Sequence, residues 1–233
     1  MFAVLLISTT MMLGDVAAQA DRNEVGRGRE PAMTPVAWEF ELKYLPPRRI
    51  DVPITGSDKV ETYWYLIYTV TNKSGSTQRF FPQFQLVTED LKVVDTDTGI
   101  TANVFEAIRE RHNVTHKYLV HPTQAIGDLA VGDDNARESV AIWRGVDADA
   151  NNFTIFCAGL SGESHMVRNP AFQDGKPETA KAAAPAGRER EVVVNPKNFV
   201  LRKTLELKFE WPGSQEARER TVPTLARERW IMR

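Results

Sequence analysis

A single cysteine, Cys157, serves the whole 233-residue chain, so no intramolecular disulfide can form and stability has to come from packing. Long apolar runs are equally scarce. Beyond the first twenty residues, no stretch stays apolar for the ~20 residues that a bilayer-spanning helix needs. An excess of one charge is also missing. Lys+Arg 29 against Asp+Glu 31, a net charge of -2, is not the basic footprint of a nucleic-acid binder, and nucleic acid is not an expected partner. The chain has no His-Glu-x-x-His order and no Gly-x-Ser-x-Gly elbow. Strands do not alternate with long helices, which excludes a doubly wound α/β design, and no solenoid or propeller period recurs.

What is present begins with an apolar run over residues 1–20, closing in the small-residue triplet Ala18-Gln19-Ala20. It reads as a secretory signal peptide cut before Asp21. Its n-region carries no Lys or Arg and Asp15 sits late in the run, which leaves room for a start further upstream. The clean apolar part, Phe2 to Gly14, is too short to serve as a membrane anchor, and no Cys lies beside the cut to accept a lipid. The expectation is a soluble mature chain, exported to the periplasm or the extracellular space. Residues 21–34 are polar and glycine-rich and should be a flexible lead-in.

From Val36 to Tyr44 the pattern is strict period two, with Val36, Trp38, Phe40, Leu42 and Tyr44 on one face: a half-buried strand that Pro46-Pro47 should end. Thr62 to Thr71 is apolar or aromatic on both faces and should be a central strand covered on both sides. Asn72 to Ser76 is turn chemistry, with Asn and Gly available for positive φ. Arg79 to Thr88 and Leu91 to Val94 then extend an antiparallel meander. A short helix from Val104 to Arg111, with Asn103 as N-cap, should cross between sheets and plug one end of the core.

Two strands, Glu138 to Trp143 and Phe153 to Leu160, should pair as a hairpin, with Cys157 as a small buried side chain. Residues 169–188 are rich in Pro, Gly and Ala and suit a mobile insertion, with a helical turn in its Ala run as one option. A strand at Glu189 to Val194 precedes the clearest one, where Leu205, Leu207, Phe209 and Trp211 alternate with polar residues. Lys203 breaks that face, so the strand either bulges or enters the core only from Leu205. Residues 214–233 form a charged C-terminal tail. About eight strands and one short crossover helix favour an all-β, antiparallel two-layer sandwich over residues 35–213.

The export signal, the aromatic strand ending Tyr68-Thr69-Val70-Thr71-Asn72, the Ile126-Gly127-Asp128-Leu129 approach and the segment ending Ala158-Gly159-Leu160 together resemble the bacterial exported immunoglobulin-like sandwich domains, many of which have no assigned function. The resemblance covers roughly 36–211. The disulfide and core-Trp spacing of antibody domains is absent. The resemblance implies an immunoglobulin-like fold and an envelope setting, not a chemistry.

Several constellations compete with plain structural readings. His112 and His116 are four apart and could ligate one zinc from a helix face, with His121 as a third ligand; Asn113, Val114, Thr115 and Tyr118 favour extended structure there, where these are ordinary histidines. Ser161 to His165 offers Ser and His without a nucleophile elbow, and reads as a polar loop. Asp133-Asp134, Asp147, Asp149, Asn151-Asn152 and the Asp95 to Gly99 run could offer oxygen ligands to calcium, but lack a full EF-hand pattern and read as solvated turns. Asn72, Asn113 and Asn152 open N-x-[ST] triplets. Trp38, Tyr63, Trp64, Tyr65, Phe80, Phe81 and Phe84 could stack sugars, though aromatics at period two normally face the opposite sheet. In the tail, Arg218, Arg220, Arg227, Arg229 and Arg233 interleave with Glu216, Glu219 and Glu228 beside Trp230. This is either a solvated or edge-pairing tail or an Arg/Trp docking segment.

No concentrated polar machinery accompanies this strand pattern. The expectation is a non-catalytic binding or structural protein that needs no cofactor, whose partner is an envelope protein or surface component. Its alternatives are a metal-binding module using the histidines and a carbohydrate-binding accessory domain.

Overall fold

Alternation of apolar and polar residues makes strands, and Pro, Gly and Asn decide where they break. In the computed structural model, residues 38–54, 56–97, 99–146, 152–172, 179–184, 188–211 and 221–233 are described; the expected signal peptide and lead-in lie outside them. In chain order the strands are β1 (Phe40–Tyr44), β2 (Arg48–Pro53), β3 (Val60–Asn72), β4 (Gln78–Phe80), β5 (Gln83–Thr88), β6 (Val93–Asp95), β7 (Gly127–Leu129), β8 (Arg137–Arg144), β9 (Asn152–Ala158), β10 (Ser164–Arg168), β11 (Thr179–Ala184), β12 (Arg188–Val193), β13 (Asn198–Glu210) and β14 (Thr224–Met232). Helices α1 (Ala102–Arg111) and α2 (Pro122–Ala125) lie between β6 and β7. The protein is mostly β and antiparallel, with more strands than the eight expected, because segments read as loop, insertion or tail also pair (β2, β7, β10, β11 and β14) and one expected run is cut into β4 and β5. No helix among the described residues is long and apolar enough to cross a membrane.

Two sheets form the body. In the first, β3 pairs with β8 on one edge and with β1 and then β2 on the other. Pro46-Pro47 therefore does not end the strand but interrupts it. Tyr44 opposes Tyr68 and Arg48 opposes Tyr65, so one extra residue is inserted on this edge, where proline's missing N–H is tolerated. The insertion flips the pleat: Phe40, Leu42 and Tyr44 join the core between the sheets, whereas Ile50 and Val52 join a second core on the other side.

The second sheet runs β6-β5-β9-β13, with β14 on the far edge of β13 and β10 extending the edge held by β9. Its inward residues Phe84, Leu86, Phe153, Ile155, Cys157, Leu205, Leu207 and Phe209 pack with Trp64, Leu66, Tyr68, Val70 and Trp143 of the first sheet in one core. Trp64 meets Trp211 edge-on at 4.4 Å between ring centroids. β13 enters this core from Leu205, while Lys203 stays at its mouth, paired with Glu39 at 2.9 Å and Glu163 at 3.1 Å. Cys157 is fully buried.

β3 is covered on both faces, as its two-sided apolar pattern requires. The cover on its outer face is α1, whose Val104, Phe105 and Ile108 pack on Tyr63, Tyr65 and Ile67 with Leu119. The helix thus builds a second core rather than plugging an end of the first. Its N-cap is Thr101, not Asn103.

Two expected pairings are replaced, and two local expectations change. β8 and β9 lie in opposite sheets instead of forming a hairpin, because both strands have an apolar face that any facing sheet can cover. The meander is reduced to the β5–β6 hairpin, since Phe81-Pro82 breaks the run and sends β4 to pair with β7. Asn72 works through its side chain, not through positive φ: the buried amide donates to Leu129 O at 2.8 Å and Ser76 O at 3.0 Å. The Ala run of the expected insertion is strand β11, paired with β12; residues 173–178 and 185–187 lie outside the description.

Candidate functional site

The sequence histidines are only partly brought together. His112 follows α1, is buried, and shares a 2.9 Å hydrogen bond between its Nε2 and the Tyr65 hydroxyl. Its ring meets that of His116 at 5.5 Å, and His116 Nδ1 sits 2.5 Å from Glu138 Oε1. Burial pushes the His112 pKa down, helped by the charges of His116, Arg48 and Arg111. Burial likewise raises that of Tyr65, opposed by Arg111 and Arg48. His121 is elsewhere: it caps α2, its Nδ1 accepting from Thr123 N at 3.3 Å, and its ring lies against Phe105. The expected three-histidine ligand set is therefore not assembled. No group of three or more His, Cys, Asp or Glu among the described residues is placed to hold a metal.

The other sequence candidates are absorbed by structure. Ser161 Oγ donates to Trp38 O at 3.1 Å and accepts from Glu163 N, while His165 is exposed on β10. Asp133 pairs with Lys73 at 2.6 Å, and Asp95 accepts from Gln85; Asp147, Asp149 and Asn151 lie outside the described residues. Tyr63, Trp64, Tyr65, Phe80 and Phe84 are buried and leave only Phe81 widely exposed, so no aromatic platform exists on those strands. One cleft of about 320 Å³ lies between Asp97, His121, Thr123 and Ile142. There burial raises the Asp97 carboxyl to about 6, although the residue keeps an exposed side.

The arginines of the C-terminal segment have a defined place. Arg218 and Arg220 lie outside the described residues, but 224–232 is β14, an edge strand of the second sheet. Its register puts Arg227 opposite Lys208, Arg229 opposite Glu206 and Ile231 opposite Thr204, all on the outer face. Trp230, opposite Leu205, turns to the inner side, where Lys203 Nζ lies 5.2 Å from its ring. The docking set read from the sequence is thus split between the two faces by the period of two.

On the outer face the guanidinium groups of Arg227 and Arg229 both donate to Glu206, the latter at 2.7 Å. Burial pushes the Glu206 pKa up, but the hydrogen bonds from Arg229 and Arg227 and their charges outweigh it and hold the carboxyl below its ordinary range. Two outer-face pairs further along, past Thr204 and Ile231, Arg202 and Arg233 exchange backbone hydrogen bonds of 2.7 and 3.1 Å. Arg233 lies over the Phe156 ring, its Cζ 4.2 Å from the centroid. A cleft of about 200 Å³ between them is also lined by Gln83, Gln85, Ala158 and Thr204.

Nothing in the sequence marks Arg202, Glu206, Phe156, Gln83 or Gln85 as a site. The charged and amide residues are legible only as the polar half of an alternation, and Phe156 only as one apolar residue of a strand; they become a site when four strands are laid side by side. Comparison with protein-family models, curated proteins and solved structures finds no match to this chain.

Proposed function

We propose that the protein is a non-catalytic, exported β-sandwich of immunoglobulin-like type that binds a component of the cell envelope or extracellular space through the outer face of its β6-β5-β9-β13-β14 sheet. The observation that carries this reading is the charge of that face. Arg202, Lys208, Arg227, Arg229 and Arg233 stand there against Glu206, Glu210 and Asp95. The basic groups are mounted on paired strands, which limits the ordering cost of binding. A surplus of positive groups on one face favours a negatively charged partner and speeds its encounter. Export is supported by the signal-like run at residues 1–20, and the non-catalytic reading by the structural hydrogen bonds that engage the Ser161 hydroxyl.

The test is site-specific photo-cross-linking in the host. A photoreactive residue at Thr154, in the middle of the face, should capture an envelope component that the same group at Glu106 on α1 does not. Capture should fall when Lys208→Glu and Arg233→Glu are introduced. Equal capture from both positions, or capture indifferent to the charge reversals, sinks the proposal. N-terminal sequencing of the extracytoplasmic protein should read from Asp21.

A further inference from the structure

We infer that Arg202 and Arg233 form the anchoring subsite for a carboxylate of an acidic polysaccharide, a uronate-type sugar lying on the outer face of the second sheet. The inference rests on the reading of that face as the binding surface and names what it binds.

The first observation is a local imbalance. Arg202 and Arg233 exchange both backbone hydrogen bonds, and such directly opposed residues project from the same side of the sheet. Like charges directly opposite each other destabilise a sheet. Further along the same face, the two arginines of β14 share the buried Glu206 between them. Among the described residues, no carboxylate forms a comparable ion pair with Arg202 or Arg233. Two acids flank the cleft and are already engaged: Asp95, opposite Gln85, accepts its amide at 2.8 Å, and Glu206, opposite Phe156, is held by Arg227 and Arg229. The cleft therefore presents two guanidinium groups, and none of its lining residues is Asp or Glu.

Preorganisation is the second observation. The stack on Phe156 holds Arg233 by its face, which leaves the in-plane N–H edges free for the forked pairing a carboxylate accepts. The remaining lining selects the kind of molecule that carries the carboxylate. Gln83 and Gln85 bring side-chain amides, and Thr204 Oγ1, which donates to Arg202 O at 3.0 Å, keeps acceptor capacity. Amide and hydroxyl groups around a charged pair suit the closely spaced hydroxyls of a sugar. An acidic peptide would gain its main-chain hydrogen bonds at a sheet edge, whereas this cleft sits on a sheet face and offers side chains alone.

The experiment is calorimetric titration of the full chain at low salt with three probes: an oligogalacturonate, its methyl-esterified neutral counterpart, and poly-glutamate. The expected result is binding of the oligogalacturonate, weakened by added salt and by methyl esterification. Arg202→Gln and Arg233→Gln should each weaken it about tenfold or more. Unliganded Arg202→Gln should melt no lower than the parent, since it relieves a like-charge pair. Should it fail to fold, Arg202→Lys keeps the charge without the fork and should still bind more weakly. Absence of oligogalacturonate binding, equal binding of the methyl ester, or binding that both variants retain overturns the inference. Poly-glutamate bound as tightly and with the same arginine dependence overturns it in favour of an acidic protein partner. Cross-linking through Thr154 without uronate binding would remove this inference and leave the binding face standing; no face-specific cross-link would remove the broader reading instead.

Discussion

Glu206 is 4% exposed while the two arginines that grip it keep about half of their side-chain area in water. Burial of the acid and solvation of the bases pull in opposite directions, and the arginine bonds prevail, leaving the folded pKa below the ordinary 4.5. A depressed carboxylate pKa contributes stability that is present above the unfolded value and is lost as pH falls through the folded one. Glu206→Gln should therefore cost about 1 kcal/mol at pH 7, the screened arginines keeping the loss small. That difference should shrink as pH falls below 4.5. Urea unfolding of both proteins at neutral and acid pH checks this; a difference that does not change with pH would show that the ion pairs are not its source. Glu206 is legible in the sequence as one polar residue of an alternating strand. Its burial is not, because that depends on which strand lies beside β13.

The breaks in the strands control the elements. Gly159, just after β9, has φ +84°, and a Cβ there would lie 2.1 Å from Phe81 O, where the chain passes from β4 to β5. Gly145 also has a positive φ, +70°, but open space around it. Gly145→Ala should cost about 1 kcal/mol for the left-handed backbone alone. Gly159→Ala carries the same term plus a backbone collision and should cost at least about 2 kcal/mol more. Denaturant midpoints of the two variants decide it, and equal losses would remove the role of the close approach. The pattern of residues predicts most strands within a few positions, since alternation is a local property. It does not select the partners of β8, β9 and β4, because an apolar face states that a strand must be covered without stating by what. The same limit applies to α1: its stripe of Val104, Phe105 and Ile108 is readable, while the choice of β3's outer face depends on the flip introduced after Tyr44.

β3 ties the whole molecule together, lending its even-numbered residues from Trp64 to Val70 to the core between the sheets and Tyr63, Tyr65 and Ile67 to the core under α1. Loss of either core exposes the other, so the chain should unfold in one step. Far-UV circular dichroism and the fluorescence of Trp64, Trp143 and Trp211 should give coincident transitions, and separated transitions would mean that the α1 layer melts independently. With Cys157 alone and buried inside the shared core, reductant should leave the melting temperature unchanged.

The linear chain already specifies that this protein is mostly β, that β3 is covered on both faces, that Cys157 serves packing, and that no intramolecular disulfide can form. Each of these follows from residue type and a period of two, which act over a few neighbouring positions. Three-dimensional packing alone establishes that β14 joins β13, that Glu206 is buried beneath Arg227 and Arg229, that Trp230 faces away from them, and that Arg202 meets Arg233 over Phe156. Those relations join residues far apart in the chain, and they are set by strand register and sheet facing, for which no short stretch of sequence carries the information.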